Sequence, residues 1–142
     1  MITLESAIAL AAKAHAGQKD LAGEPYILHP LRVMLKVASE PERIVAILHD
    51  VVEDTNHTLD DLRLAGCSPE VVDAVDRLTR REGEDYFDYV ARAAEHPLAR
   101  RVKIADLEDN MEWRRLKGRT DVDRDRLARY AEAYRRLTGR SV

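Results

Sequence analysis

Apolar residues recur along most of this chain at the three- and four-residue spacing of a helix, and no run alternates long enough to demand a strand. Leu4, Ala7, Ile8, Ala11, Ala12 and Ala14 mark a first helix over Leu4 to Ala16, with Thr3 placed to cap it and Gly17 to stop it. Gly17, Gly23, Pro25 and Pro30 then predict a loop that delivers Tyr26 and His29 to a second helix, Leu31 to Ala38. Pro41 precedes an apolar helix from Glu42 to Val52, whose carboxyl end carries His49 and Asp50. Thr58 predicts the cap of a short helix, Leu59 to Ala65, and Ser68 with Pro69 opens another that runs to about Arg80. After the polar break Arg81 to Glu84, helices are expected from Asp85 to Glu95 and from Pro97 through Asn110. A turn at Gly118 to Asp121 leads into a last amphipathic helix, Asp123 to Leu137.

Composition narrows the fold further. Aromatic residues are only 5% of the chain, so the core must be built from Ala, Leu, Val and Ile, the mixture that packs helices closely. An all-α, compact helical bundle is expected, and 142 residues suit a single domain, 1–142, with no room for a second catalytic one. The net charge of −3 supplies no long-range attraction for nucleic acid or an anionic membrane. Trp113 with Arg114, Arg115, Lys117 and Arg119 forms a local basic cluster, but Glu108, Asp109, Glu112, Asp121 and Asp123 surround it, and it reads as a solvated helix end. Cys67 is the single cysteine, so no internal disulfide can form, and it is expected to be a half-buried helix-boundary residue. No basic segment leads into a long apolar run, no stretch reaches membrane-spanning length, and a cytoplasmic location is expected. The pattern specifies no oligomeric state.

The chemistry concentrates in a few positions. His29, His49, Asp50 and Asp106 offer imidazole nitrogens and carboxylate oxygens, a mixed set suited to a hard or borderline divalent cation. Glu53 and Asp54 follow His49-Asp50 by one helical turn, so on a continuous helix the four side chains share one cavity. Asp106 lies inside the apolar stretch Val102 to Leu107, where an unpaired carboxylate is costly; a metal or a salt bridge to Lys103 or an arginine would satisfy it. Two acids at a helix carboxyl end oppose the helix dipole, which favours a functional role for Glu53 and Asp54 over a solvated helix end.

Several longer segments carry a family likeness. They are Ala14-His15-Ala16-Gly17-Gln18, Gly23-Glu24-Pro25-Tyr26-Ile27-Leu28-His29-Pro30, Leu48-His49-Asp50-Val51-Val52-Glu53-Asp54-Thr55, Leu78-Thr79-Arg80, Val102-Lys103-Ile104-Ala105-Asp106 and Asp109-Asn110-Met111. In this order they resemble the HD-domain metal-dependent phosphohydrolases, and more finely the hydrolase domain of the RelA/SpoT family and the small alarmone hydrolases. The resemblance implies a helical bundle with manganese held by His29, His49, Asp50 and Asp106. It places Glu53 and Asp54 at the water that attacks the substrate phosphate. It places Lys103, Asn110 and Tyr130 near a nucleotide substrate, the last two against its nucleoside part. By residue type alone, Lys103 also suits an exposed helix face and Tyr130 half-buried packing. The implied reaction is removal of the 3′-pyrophosphate from (p)ppGpp-like alarmones.

The chain departs from that pattern in the loop. An arginine that stacks on guanine in the relatives is replaced by Asp20, with Lys19 before it as the remaining cation for substrate, and a lysine does not reproduce guanidinium stacking. Leu107-Glu108-Asp109 likewise replaces a common Arg-Leu-His stretch. An HD phosphohydrolase acting on another nucleotide or phosphorylated metabolite is therefore the alternative. A non-catalytic module that senses a nucleotide or binds a partner is a third reading, opposed by the complete ligand and carboxylate set. His15 is expected to pack or hydrogen-bond beside the site, and His57 to lie on the surface.

Overall fold

The computed structural model describes residues 1–117 and 121–141, with side chains over 1–112 and 124–141. Its organising element is α3 (Glu40–Leu48), in which Ile44, Val45, Ala46, Ile47 and Leu48 are buried in unbroken succession. A helix buried all round must be enclosed by others. Against it pack α1 (Leu4–Ala14), α2 (Leu28–Leu35), α6 (Pro69–Arg77) and α8 (Pro97–Lys117). These contribute Ala7 and Ala11, Val33 and Met34, Val71, Val72, Ala74 and Val75, and Ala99 and Val102 to one apolar cluster. The short α5 (Leu59–Leu64) closes it through Leu62. A second cluster forms where α7 (Tyr86–Ala94), α8 and α9 (Asp121–Thr138) meet, around Tyr86, Tyr89, Val90, Leu107, Met111, Ala133 and Leu137. With α4 (Val51–Asp54), the described residues hold nine helical segments and no strand; Lys19 and Pro25 form an isolated bridge.

The predicted caps are in place. Thr3, Thr58 and Ser68 each accept a first-turn backbone N–H, and Thr58 forms a reciprocal capping box with Asp61. Another box, Ser39 with Glu42, starts α3 at Glu40, earlier than the proline alone suggested, because Pro41 is tolerated within a first turn. For the same reason α2 begins at Leu28 and includes His29 and Pro30, so His29 is helical and buried, not part of the preceding loop. Cys67 is likewise more buried than expected, joining the main cluster. Gly66 adopts φ 97° where the amino terminus crosses it, and a Cβ there would meet Ile2 N at 3.1 Å.

The expected continuous helix from Glu42 to Val52 is interrupted. Asp50 sits at φ −101°, ψ 0°, and helical geometry resumes only in the single turn α4. Glu53 and Asp54 therefore belong to a separate short helix, and the dipole argument made for a long one does not apply to them. Thr55 Oγ1 donates to Val51 O at 2.5 Å, and Gln18 Nε2 donates to Asp54 O at 2.9 Å, so side chains satisfy the carbonyls that this turn leaves open.

Leu62 is fully buried on the short helix α5. Leu62→Ala should destabilise the fold by about 2–5 kcal/mol, read as a lowered denaturation midpoint without a change in metal stoichiometry.

Candidate metal centre and active site

Three elements bring the polar residues together: the first turn of α2 supplies His29, the break after α3 supplies His49 and Asp50, and the middle of α8 supplies Asp106. His29 Nε2 lies 2.8 Å from Asp106 Oδ1 and 3.8 Å from Asp50 Oδ2. His49 Nε2 lies 3.1 Å from Asp50 Oδ2 and 3.3 Å from Asp106 Oδ1. Two imidazoles and two carboxylates thus converge on one small volume.

The tautomer of His49 decides what that volume can hold. Its Nδ1 is 2.5 Å from the carbonyl oxygen of Ala46, which can only accept, so Nδ1 carries the hydrogen. Nε2 then turns toward two carboxylates, buried and without hydrogen-bond geometry to either. A lone pair facing anionic oxygens needs a cation between them, either a proton or a metal ion. Burial disfavours a charged ring, but Asp50 and Asp106 outweigh it and hold His49 well above the ordinary histidine range. For His29, burial is likewise outweighed by hydrogen bonds to Asp106 and Asp109, which lift it to about 9. Burial would raise Asp50, yet His49 beside it brings that carboxyl down to about 2. The donor set therefore fits a divalent cation, with carboxylates ionised and the imidazoles ready to exchange protons for metal.

Asp106 uses its two oxygens differently. Oδ2 accepts from Lys103 Nζ at 2.9 Å, while Oδ1 faces His29 and His49 and takes a long contact from Asn110 Nδ2 at 3.3 Å. The salt bridge to Lys103 is thus made by one oxygen, and the other is left facing the two imidazoles. Lys103 is buried, not exposed, with its ammonium 5.0 Å from the Tyr89 ring centroid.

Several positioning groups carried no assigned role from sequence. Asp109 Oδ2 lies 2.7 Å from His29 Nδ1, and its Oδ1 accepts from Arg32 Nε at 2.8 Å, an arrangement that fixes the ring and its basicity. The signal was present: Asp109 is three residues beyond Asp106 and shares its helix face. The Tyr26 hydroxyl donates to Asp50 Oδ2 at 2.5 Å and lies 3.4 Å from Asp54 Oδ2, so the loop before α2 orients a carboxylate. Asp109→Asn should lower metal affinity about 10–100-fold while retaining the fold, as metal titration followed by calorimetry would record.

Glu53 and Asp54 stand at the mouth of a cavity of about 280 Å³ lined also by His29, Asp50, Lys103, Asp106, Asn110 and Tyr130. Both carboxyls reach solvent, yet the surrounding protein desolvates them in part and raises them above their ordinary range. Arg80 N donates to Glu53 Oε1 at 2.7 Å and steadies it. Asp20 lines the cavity while its Oδ1 accepts from Ala22 N and Glu24 N; Lys19 is exposed and does not line it. Tyr130 is half-buried and faces the same space, so packing and cavity lining coincide in it. His15 stays beside the site, its Nδ1 2.8 Å from Gln18 Oε1 and its ring 5.0 Å from that of Tyr26. His57 is half-buried against Thr55, not a free surface group. The side chains of Trp113, Arg114, Arg115, Lys117 and Arg119 lie outside the described residues.

The sequence profile of the HD domain matches residues 7–138 of the chain. The chain belongs to the HD domain family. This HD domain is 33% identical over 119 residues to a guanosine-3′,5′-bis(diphosphate) 3′-pyrophosphohydrolase of Aquifex aeolicus, covering 76% of the chain and 17% of that protein. It is 33% identical over 149 aligned positions to a GTP pyrophosphokinase of Streptomyces coelicolor, covering 94% of the chain and 18% of that protein. The bifunctional (p)ppGpp synthase/hydrolase SpoT of Escherichia coli is 33% identical over 122 residues, covering 76% of the chain and 17% of the relative. The chain thus spans less than a fifth of the length of these relatives. Among solved structures, a metazoan ortholog of SpoT described as hydrolyzing ppGpp superposes with a TM-score of 0.79 at 26% identity, over 98% of this HD domain and 87% of that chain. Among the described residues no helix is long and apolar enough to cross a membrane.

Proposed function

We propose that this chain is a metal-dependent pyrophosphohydrolase that removes the 3′-pyrophosphate from (p)ppGpp-like alarmone nucleotides. One observation carries the reading: the four-residue donor set and the two spare carboxylates of α4 open onto the same cavity. The 3′-pyrophosphohydrolase relative and the SpoT ortholog supply the substrate class.

In this reading His29, His49, Asp50 and Asp106 hold the ion, with manganese the metal of choice. When bound, a divalent cation supplies Lewis acidity toward water and phosphate oxygens. Glu53 accepts the proton of the attacking water; partial burial makes its carboxylate a stronger base than an exposed glutamate, and the Arg80 amide holds it in place. Asp54, within reach of the Tyr26 hydroxyl, orients that water from the other side. Lys103 neutralises charge at Asp106 as the scissile phosphate approaches, and Asn110 and Tyr130 meet the nucleoside. Lys19, exposed beside the loop, meets substrate only at the cavity rim.

Asp20 favours a second reading, in which the same machinery acts on a different base. The carboxylate that lines the cavity wall there does not stack on a guanine as a guanidinium would. Purified protein with manganese, offered (p)ppGpp, its adenine counterpart and nucleoside triphosphates, separates the two by release of pyrophosphate. Release from (p)ppGpp supports the first reading; release only from non-alarmone substrates rejects it.

A further inference from the structure

Glu53 stands on a single turn of helix, which by itself cannot fix the aim of its carboxylate. Among the described residues that carboxylate accepts one hydrogen bond, from the Arg80 N–H at 2.7 Å. Arg80 lies in the connection between α6 and α7, which belongs to no helix or strand. A side chain of α7 holds that connection. Arg92 donates from Nε to Glu84 Oε2 and from Nη2 to Glu84 Oε1, both at 2.9 Å, a paired fork in which each side chain is only 16% exposed. The same Nη2 donates to Thr79 O at 3.0 Å, one residue before Arg80. Glu84 extends the hold: its Oε1 accepts from Arg81 N at 3.1 Å, and its carbonyl oxygen accepts from Arg80 Nε and Nη2 at 3.1 and 3.0 Å. The residues on both sides of the Arg80 N–H are thus tied to one ion pair. The Arg92 fork, with the Arg81 N–H, brings the Glu84 carboxyl down to about 2, so the pair stays charged at neutral pH.

We propose that the Arg92–Glu84 pair positions the catalytic base: it clamps the α6–α7 connection so that the Arg80 N–H meets and aims the Glu53 carboxylate. The inference rests on the reading of Glu53 as base and adds two positioning residues behind it. Neither Arg92 nor Glu84 lines the cavity that holds the metal set, so both act through Arg80 and not on substrate. Joining α6 to α7 does not require the pair. Arg77 Nη1 donates to Arg92 O at 2.9 Å and the Tyr89 hydroxyl donates to Leu78 O at 2.9 Å, and these bonds tie the two helices independently of Glu84. What the fork adds is a fixed place for residues 79 to 84. A reacting group displaced by about 1 Å loses about 10²-fold in rate, so the accuracy of that place matters to turnover more than to folding.

Arg92→Met removes the fork and keeps an apolar stem, and Arg92→Lys restores one charged donor. In the manganese-loaded protein Arg92→Met should lower kcat for (p)ppGpp hydrolysis about 10–100-fold with KM within about twofold and metal content unchanged, and Arg92→Lys should recover part of the loss. Added to Glu53→Gln, Arg92→Met should cost nothing further, because the group it aims is already gone. Amide hydrogen exchange, followed by NMR on protein loaded with diamagnetic magnesium, gives a readout independent of turnover. The Arg80 amide should exchange about tenfold faster or more in Arg92→Met, the loss of a hydrogen bond to a charged acceptor. Glu84→Gln keeps the carbonyl that holds Arg80 and should repeat both effects at smaller size, even if Arg92→Met does not fold. If the Arg80 amide stays protected in these variants, or if the loss of kcat adds in full to that of Glu53→Gln, the pair only stiffens the fold and the proposal is overturned. Absent hydrolysis in the unaltered protein, with Arg80 exchange still dependent on Arg92, rejects the catalytic reading and leaves the coupling. Hydrolysis with Arg80 exchange indifferent to Arg92 rejects this inference alone.

Discussion

Asp106→Ala is expected to lose its metal and fall to background turnover. The substitution removes a carboxylate oxygen that faces both His29 Nε2, at 2.8 Å, and His49 Nε2, at 3.3 Å, so two nitrogens and Asp50 remain to hold a cation. It also strips the buried Lys103 ammonium of its partner at 2.9 Å. Removing one member of a buried ion pair costs about 3–5 kcal/mol, because the other charge stays desolvated and alone. Metal loss and instability should therefore appear together, and Asp106→Asn separates them by keeping an oxygen for Lys103 while weakening the ligand set. Metal analysis of the dialysed protein, with thermal denaturation beside it, checks the pair. A full complement of metal in both variants would refute the ligand assignment.

Glu53→Gln should do the reverse, keeping metal and fold while reducing kcat by about 10²–10⁴-fold, the usual contribution of a positioned general base. The amide preserves shape and still offers a carbonyl oxygen to the Arg80 N–H, which meets Glu53 Oε1 at 2.7 Å, so the backbone after α6 has no reason to move. Glu53 is outside the His29, His49, Asp50 and Asp106 set, so metal stoichiometry should match the unaltered protein. Only the proton acceptor is gone. Desolvation raises the Glu53 carboxyl, and protonating it removes the base; activity of the unaltered protein should decline toward acid pH earlier than an exposed glutamate would dictate. A kcat within a few-fold of the parent sinks the assignment of Glu53 as base.

The helices were legible because each carries local signals. Thr3, Thr58 and Ser68 announced their starts, and apolar spacing announced the buried faces of α1, α6 and α7. Legibility failed where tertiary contacts overrode the local pattern. Neither Gly nor Pro stands in the run Ile44 to Val52 to mark the interruption at Asp50; the break accompanies the burial of His49 and Asp50 against partners far from them in the chain. Gln18 and Tyr26 hold the displaced turn in place from α1's trailing loop, over separations that no periodicity encodes.

The sequence by itself determined an all-helical chain and the residue types of a metal site with two spare acids, because helix spacing and ligand chemistry are properties of residues and their near neighbours. Only the tertiary structure decided how those residues are used. It divided Asp106 between Lys103 and the histidines, turned Asp109 and Tyr26 into positioning groups, buried Lys103, and tied Arg92 to the turn whose Arg80 N–H meets Glu53. Each of these depends on which distant group arrives within about 3 Å, and hydrogen-bond and charge energies vanish over a displacement too small for any local pattern to specify.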